Sequence, residues 1–402
     1  MQRRDDTPPV AIIGGGICGL TTALALERRG FTVEVYEAAA EYRPVGAGIL
    51  LQTNALVAFE MLDVATEIRE SGMPLSEVQI RSPNGQVLQA FDLDAEQDAF
   101  GHRYVAIHRA ELLDILRRNT ASPIHTGKRC TQVSDPANPT VRFADGTQIE
   151  PGILVGADGI DSTVRDAVTT ASKQSLGTTV FRAVTSVSLS EQHRTTGFEV
   201  WGNGTYTGGA PVGPDEFYWF ATAPSELSAT AAVDDIRAFF ADYPAPVPAV
   251  GAAVTADELI TTDLADLPPL DQWSRGVTVL AGDAAHGMLP FAGQGAAQSI
   301  EDALALAAAL GSHTSVADAF AAYECERISR ANRVRTESHR LGRLGTMQSS
   351  FACRLRNTAV AALPEAVFKR FRRRRVANAS VFPAEEPSGA LSAPEMPEER
   401  SV

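Results

Sequence analysis

The stretch PVAIIGGGICGLTTALALERRGFTVEVYE, residues 9–37, leaves this chain few choices of fold. PVAIIGG reads as a buried strand, ICGLTTALALERR as a helix stopped by Gly30, and TVEVYE as a second strand. Gly14, Gly16 and Gly19 stand at G-x-G-x-x-G spacing where strand becomes helix, and Glu37 closes the next strand eighteen residues after Gly19. The first glycine makes the tight turn, the second admits a pyrophosphate, the third lets helix meet strand, and the acid accepts from a ribose hydroxyl. The glycine spacing alone is weak, but strand, helix and acid together predict a βαβ unit that holds a dinucleotide. Cys18, inside the helix start, reads as a small packing residue.

The rest of the chain indicates which dinucleotide. After the turn GAGILL come a helix near 54–70, a hairpin over SEVQIRSPNGQVLQAFDL and a helix RAELLDILRRN from 109. VRFADGTQIE turns at Asp145-Gly146 as a second hairpin before the buried strand ILVGAD. From 176 to 262 the helical period mostly disappears. TTVFRAVTSVSL, TGFEVWGNGTYTGGAP and EFYWFATAP read as an antiparallel sheet with one helix near 232–242. VTVLAGD then returns to the first unit and leads into a buried helix near 294–311. A simple NAD dehydrogenase would continue with alternating strands and helices, so the departure into a long antiparallel sheet favours FAD. GNGTYTGG, at 202–209, lacks a following helix and reads as a turn, which leaves one Rossmann unit and no second for NADPH.

The expected fold class is therefore α/β: an FAD-binding Rossmann-like domain with an inserted antiparallel-sheet substrate domain and a C-terminal helical segment. The FAD domain is assigned to 1–72, 101–175 and 270–330, and the substrate sheet to 73–100 and 176–269. C-terminal helices are assigned to 331–378 and a disordered tail to 379–402.

Composition narrows the function. With 49 Asp and Glu against 35 Lys and Arg, a net charge of −14 opposes binding to a phosphate backbone. The start MQRRDDTPPV has no apolar core, and no run of eighteen apolar residues occurs, which argues against export and membrane spanning. The four cysteines form no close pair, so neither a zinc ribbon nor a redox dithiol is in view, and a cytoplasmic location fits. Residues 354–376 carry eight Lys or Arg and a single Glu. They read as a solvated terminal helix that offsets an acidic body, with contact to an anionic membrane surface as the alternative.

Three separated motifs now stand together: AIIGGGICGL with Glu37, LVGADGIDSTVR at 154–165, and LAGDAAHGMLPFAGQG from 280. With them the chain resembles the class A FAD-dependent monooxygenases of the para-hydroxybenzoate hydroxylase fold, in the salicylate-hydroxylase-like and epoxidase-like branch, over roughly residues 8–335. The resemblance implies that Asp283 bonds the ribitol chain of FAD and that Gly293, Gln294 and Gly295 pass beside the flavin ring. It implies that Arg109 approaches the FAD pyrophosphate, with Arg43 matching a second such arginine. It also implies that Asp158, Gly159 and Arg165 serve FAD and reduced nicotinamide, with a helix-capping Asp158 paired with Arg165 as the lesser alternative. NADPH or NADH would dock transiently, since no second nucleotide domain is present.

The implied reaction is NAD(P)H- and O2-dependent oxygenation through a flavin C4a-hydroperoxide, hydroxylating an aromatic or polycyclic small molecule. Epoxidation of an alkene, or a non-oxygenating flavin reductase of the same superfamily, are the alternatives. Candidate substrate contacts are Arg182, Trp201, Tyr206 and Trp219 from the sheet, and Leu51, Pro290 and Phe291 from the flavin side. Strand alternation puts Phe217 and Trp219 on one face and Tyr218 and Phe220 on the other, and only one face can line a cavity. Relatives that oxidise urate-like anions carry an acid where Phe291 stands, so the resemblance implies an apolar site. His286 reads as a packing residue, since no base is evident beside it.

Overall fold

Val10–Ile13 is buried along its whole length because it is an inner strand, paired in parallel with Val33–Tyr36 on one side and Ile153–Gly156 on the other. Thr278–Leu280 extends the same sheet beyond Ile153–Gly156, and Ile124–His125 closes the far edge. The computed structural model describes residues 8–43, 46–222, 227, 230–364, 366, 367, 369 and 370. The glycine-opened helix Ile17–Glu27 is buried from Ile17 to Leu26 and packs against the Ala-rich helix Gly295–Ser312.

A second sheet has seven strands in the order Ile260–Asp266, Gln174–Ser186, Glu216–Thr222, Tyr206–Gly213, Thr196–Trp201, Glu77–Arg81, Val87–Asp92. Every neighbour pair is antiparallel except Thr196–Trp201 with Glu77–Arg81. Alternation divides its faces. Phe181, Phe198, Phe217 and Trp219 pack on Phe240 and Ile236 of helix Val233–Phe240, while Arg182, Glu199, Tyr218 and Phe220 face the other way, toward the first sheet. Residues 202–205 are the hairpin turn between Thr196–Trp201 and Tyr206–Gly213, as their composition implies.

Four expectations need correcting. The single helix near 54–70 is two, Thr53–Glu60 and Ala65–Ser71, because Asp63 takes a left-handed conformation (φ 51°) and holds Arg28 at 2.5 Å. A helix at Val247–Ala253 lay hidden behind its prolines, which sit at its start, where an amide hydrogen has no partner to lose. Helix Val316–Gly345 runs unbroken through the expected division at 330/331, because Arg327 and Arg330 are buried in one ion network. The helix that carries the basic segment, Ser350–Ala362, is not wholly solvated. Arg356 is buried and donates to the carbonyls of Trp201 (2.8 Å) and Leu344 (2.7 Å). The rest of that segment past 370 and the expected tail at 379–402 lie outside the described residues. Among the described residues no helix is long and apolar enough to cross a membrane.

That ion network joins helices Gly295–Ser312 and Val316–Gly345. Arg327, with no solvent exposure, donates to Glu301 and Asp302 at 2.7 Å each, and Arg330 donates to both oxygens of Glu301. Burial alone would raise both carboxyls. Arg327 and Arg330 outweigh it for Glu301, as His286 and Arg327 do for Asp302, and both lie below the usual carboxylate range. Two acids and two guanidinium groups thus balance in a dry site.

Arg327→Met should destabilise the protein by about 3–5 kcal/mol in urea unfolding at neutral pH, because it strands buried carboxylates. A cost under about 1 kcal/mol would show the network to be dispensable. The sign with acid is also set. Glu301 and Asp302 hold their folded values below the unfolded range of about 4, so their contribution is whole above that pH and lost as pH falls through the folded values. Wild type should therefore lose stability more steeply than Arg327→Met between about pH 5 and pH 3.

Candidate active site

The three fingerprint glycines differ in what surrounds them. A Cβ on Gly14 would lie 2.3 Å from the Ala157 carbonyl oxygen, at a φ of +105° that side chains avoid, and one on Gly19 would lie 1.8 Å from the Gly14 carbonyl oxygen. Both are obliged by packing of the turn on itself. A Cβ on Gly16 would meet nothing within 4 Å, because Gly16 faces an open cavity. Glu37 accepts the amides of Gly15 and Ala39, each at 2.7 Å, and so ties the turn to the end of the second strand.

The cavity has a volume of about 700 Å3 and runs from the glycine turn to the inner face of the seven-stranded sheet. Gly16, Arg109 and Asp283 line one end, with Pro290, Phe291 and the 293–295 turn along one side. Arg109 opens helix Arg109–Asn119, its amide held by the Ala47 carbonyl at 3.0 Å. Asp283 follows Gly282, whose φ of 62° and contacts with Cys18 and Ser299 admit no side chain. The exposed surface of Asp283 belongs to the cavity. Burial pushes its carboxyl above the ordinary value, with His286 and Arg109 drawing it partly back.

Gln294 contributes only backbone to this surface. Its fully buried carboxamide donates to Gln52 at 2.7 Å and accepts from Asn54 at 3.0 Å, latching the turn to the start of helix Thr53–Glu60. Helix Gly295–Ser312 begins there without a side-chain cap, and its first turn carries no acid. His286 faces Asp302 at 2.6 Å, and Asp302 also accepts the Gly282 amide at 2.9 Å. The Asp283 turn is thereby fastened to the ion network. Cys18 is buried with its thiol pushed well up by burial, which suits a packing residue.

On the sheet side, Arg182, Tyr206, Tyr218 and Phe220 line the cavity. Arg182 donates to Thr262 at 2.6 Å and to the Tyr218 hydroxyl. Tyr206 stands edge-on to Phe291 with centroids 5.1 Å apart. Burial pushes the Tyr218 hydroxyl up despite Arg182.

Several expected contacts lie elsewhere. Trp219 faces the opposite side of the sheet, where its ring meets Phe240 and its indole donates to Thr207. Leu51 is turned into the core, while its neighbours Ile49 and Leu50 reach the cavity. Trp201 sits beyond the cavity rim under the Arg356 guanidinium. Arg43 pairs with Glu41 on the surface. Asp158 is spent on the Ser162 hydroxyl and the amides of Thr163 and Val164, and Arg165 on the carbonyls of Ile160, Ala171 and Ala284. Neither side chain lines the cavity, although Gly159 between them does.

Lining side chains that were not among the candidate contacts include Gln52, Tyr218, Phe220 and Glu199. Gln52 has no local signal. Tyr218 and Phe220 needed only the choice of face, and Glu199 was legible as the lone acid of the alternating strand TGFEVW.

A family profile described as FAD binding domain matches residues 7–338. The chain belongs to the class A FAD-dependent monooxygenases. This monooxygenase is 35% identical over 353 residues to the aurachin C monooxygenase/isomerase of Stigmatella aurantiaca, covering 86% of this chain and 92% of that one. It is 33% identical over 379 residues to the 2-heptyl-3-hydroxy-4(1H)-quinolone synthase of a Pseudomonas aeruginosa strain, covering 91% and 97%. The crystal structure of Klebsiella pneumoniae HpxO with FAD and uric acid superposes with a TM-score of 0.84 at 25% identity, covering 92% and 97%. FAD is the monooxygenase's cofactor and NAD(P)H its electron donor.

The glycine turn separates two kinds of failure. Gly16→Ala should fold with unchanged thermal stability of the apoprotein yet bind FAD at least about 10-fold more weakly, because its methyl group enters the cavity. Gly14→Ala should lower apoprotein stability itself. Flavin fluorescence titration beside apoprotein melting distinguishes them, and equal FAD affinity in Gly16→Ala would count against the pyrophosphate lying there.

Proposed function

We propose that this monooxygenase hydroxylates a planar, largely apolar heteroaromatic ring, with a 4(1H)-quinolone as the first class to test. The observation that carries the reading is the shared cavity. Its one end offers an open glycine, a carboxylate and a guanidinium, and its other end offers aromatic rings beside a second guanidinium. Such a space suits a cofactor and a small substrate lying against each other. The residues fit FAD: the room left by Gly16 and the acceptor oxygens of Asp283 suit a pyrophosphate and a polyol chain, and Arg109 supplies the countercharge. Glu37 stands at the strand end where a ribose acceptor is wanted.

FAD, when bound and reduced by NAD(P)H, supplies the activation of dioxygen and the oxygen atom transferred. The chain's own part is positional and electrostatic. The uncapped start of helix Gly295–Ser312 directs amides and the positive end of its dipole at the cavity, which favours negative charge on a reduced ring. Phe220, Tyr206 and Phe291 offer flat apolar walls that hold an arene and exclude water. Arg182 presents donors to a carbonyl or phenolate oxygen. The quinolone synthase among the relatives is named for a ring of this kind, with a carbonyl at one edge and an N–H at the other.

Holoenzyme given NAD(P)H, dioxygen and a panel of 4(1H)-quinolones, phenols and purines should consume NAD(P)H fastest with a quinolone. One atom of heavy-oxygen-labelled dioxygen should appear in the product. Turnover of a compound without oxygen would replace this reading with a flavin reductase. Asp283→Ala should purify with flavin occupancy lowered at least about 10-fold, as expected where a buried polar contact to the cofactor is lost.

A further inference from the structure

We propose that Glu199 is the specificity-determining acceptor of this site, its carboxylate taking a hydrogen bond from a ring N–H or O–H at the substrate edge opposite the one that Arg182 binds. The inference rests on the heteroaromatic reading above.

Sheet register places the two residues in one row. Arg182 is opposite Phe220, Phe220 opposite Gly208, and Gly208 opposite Glu199. Three inter-strand steps put their backbones ~14 Å apart on one face, and both side chains line the same cavity. Between them the row is flat. Phe220 provides a ring and Gly208 provides none, and a Cβ on Gly208 would lie 3.0 Å from the tip of Phe220. The row is thus a cation, an aromatic floor and an acid, spaced for a flat ring system to lie between two polar ends.

Glu199 is the acid of this row. Its partners among the described residues are the Trp201 indole N–H, at 3.2 Å, and the Tyr206 hydroxyl, both donors and neither a cation. An ionised carboxylate has about four acceptor positions, so two donors leave it capacity toward the cavity. Burial raises its carboxyl, and the two donors oppose that rise. Along this row the other charged end is the cation Arg182, and a neutral ring whose one edge accepts and whose other edge donates complements the pair. A 4(1H)-quinolone has that polarity: a carbonyl for Arg182 and an N–H for Glu199. Holding the N–H against a carboxylate also pushes electron density into the ring carbons that an electrophilic oxygen attacks.

The test uses holoenzyme and two probes, 2-heptyl-4(1H)-quinolone and its N-methyl analogue, with binding read from the perturbation of the flavin spectrum and turnover from product oxygenation. Wild type should bind the N–H compound roughly 10-fold more tightly than the N-methyl one, and Glu199→Gln, which keeps the side chain's size, should shrink that ratio to about 2-fold or less. If wild type oxygenates the quinolone but binds both probes equally, Glu199 has no such role and the heteroaromatic reading stands. If Glu199→Gln and Glu199→Leu, which removes the acceptor oxygen that the amide keeps, both hold the full ratio, the discrimination is steric and the proposal fails. If neither probe binds while another ring compound in the panel is oxygenated, the quinolone reading fails and this proposal with it. The wild-type comparison needs no variant, so loss of flavin from Glu199→Gln would leave the proposal open to refutation.

Discussion

The flavin side of the cavity is held from behind by one charged knot, in which Arg327 and Arg330 meet Glu301 and Asp302. Isolated, any one of these charges would be costly to bury. Together they bring two helices and the Asp283 turn to a single point, because Asp302 also accepts the Gly282 amide and faces His286. Asn54 extends the knot to Glu301 and, through Gln294, to the 293–295 turn. The segments that border the cavity on this side are largely turns, and turns alone position chemistry poorly. Here hydrogen bonds to buried ions give them the rigidity of the helices behind them.

The cavity divides its work by which part of the chain supplies each wall. Backbone and charge come from the Rossmann half, as Gly16, Arg109, Asp283 and the uncapped helix start at Gly295. Aromatic surface comes mainly from the seven-stranded sheet, as Tyr206, Tyr218 and Phe220, with Phe291 added from the turn. Such a division lets the flavin half stay the same while substitutions on the sheet face retune the substrate, since strand positions two apart can change without disturbing the outer face packed on Phe240.

The parts of this arrangement legible in sequence are those governed by local rules. The strand-turn-helix at 10–27, the hairpins and the return strand Thr278–Leu280 follow from alternation and turn chemistry, and the structure has them. The spacing of the three glycines was readable, but the reason each is needed was not uniform: two are forced by the turn's own backbone and only Gly16 by open space. What sequence left open depends on long-range choices. Which face of Glu216–Thr222 is inside was undetermined until the helices Val233–Phe240 and Val247–Ala253 covered the Phe217–Trp219 side. Asp158 and Arg165 stand in a motif and yet bond to their own turn and to Ala284, a partner more than a hundred residues away.

The C-terminal helix shows how far such long-range ties reach. Arg356, read from its neighbours as one base of a solvated run, caps the carbonyls of Trp201, Gly202 and Leu344 and lies 5.7 Å from the centre of the Trp201 ring. Trp201 in turn donates to Glu199. A guanidinium with buried carbonyl partners cannot leave without stranding them, so the helix fixes the indole and the indole fixes one oxygen of the carboxylate in the cavity wall. The last described helix, outside both sheets, therefore takes part in setting the polarity of the site that the substrate meets.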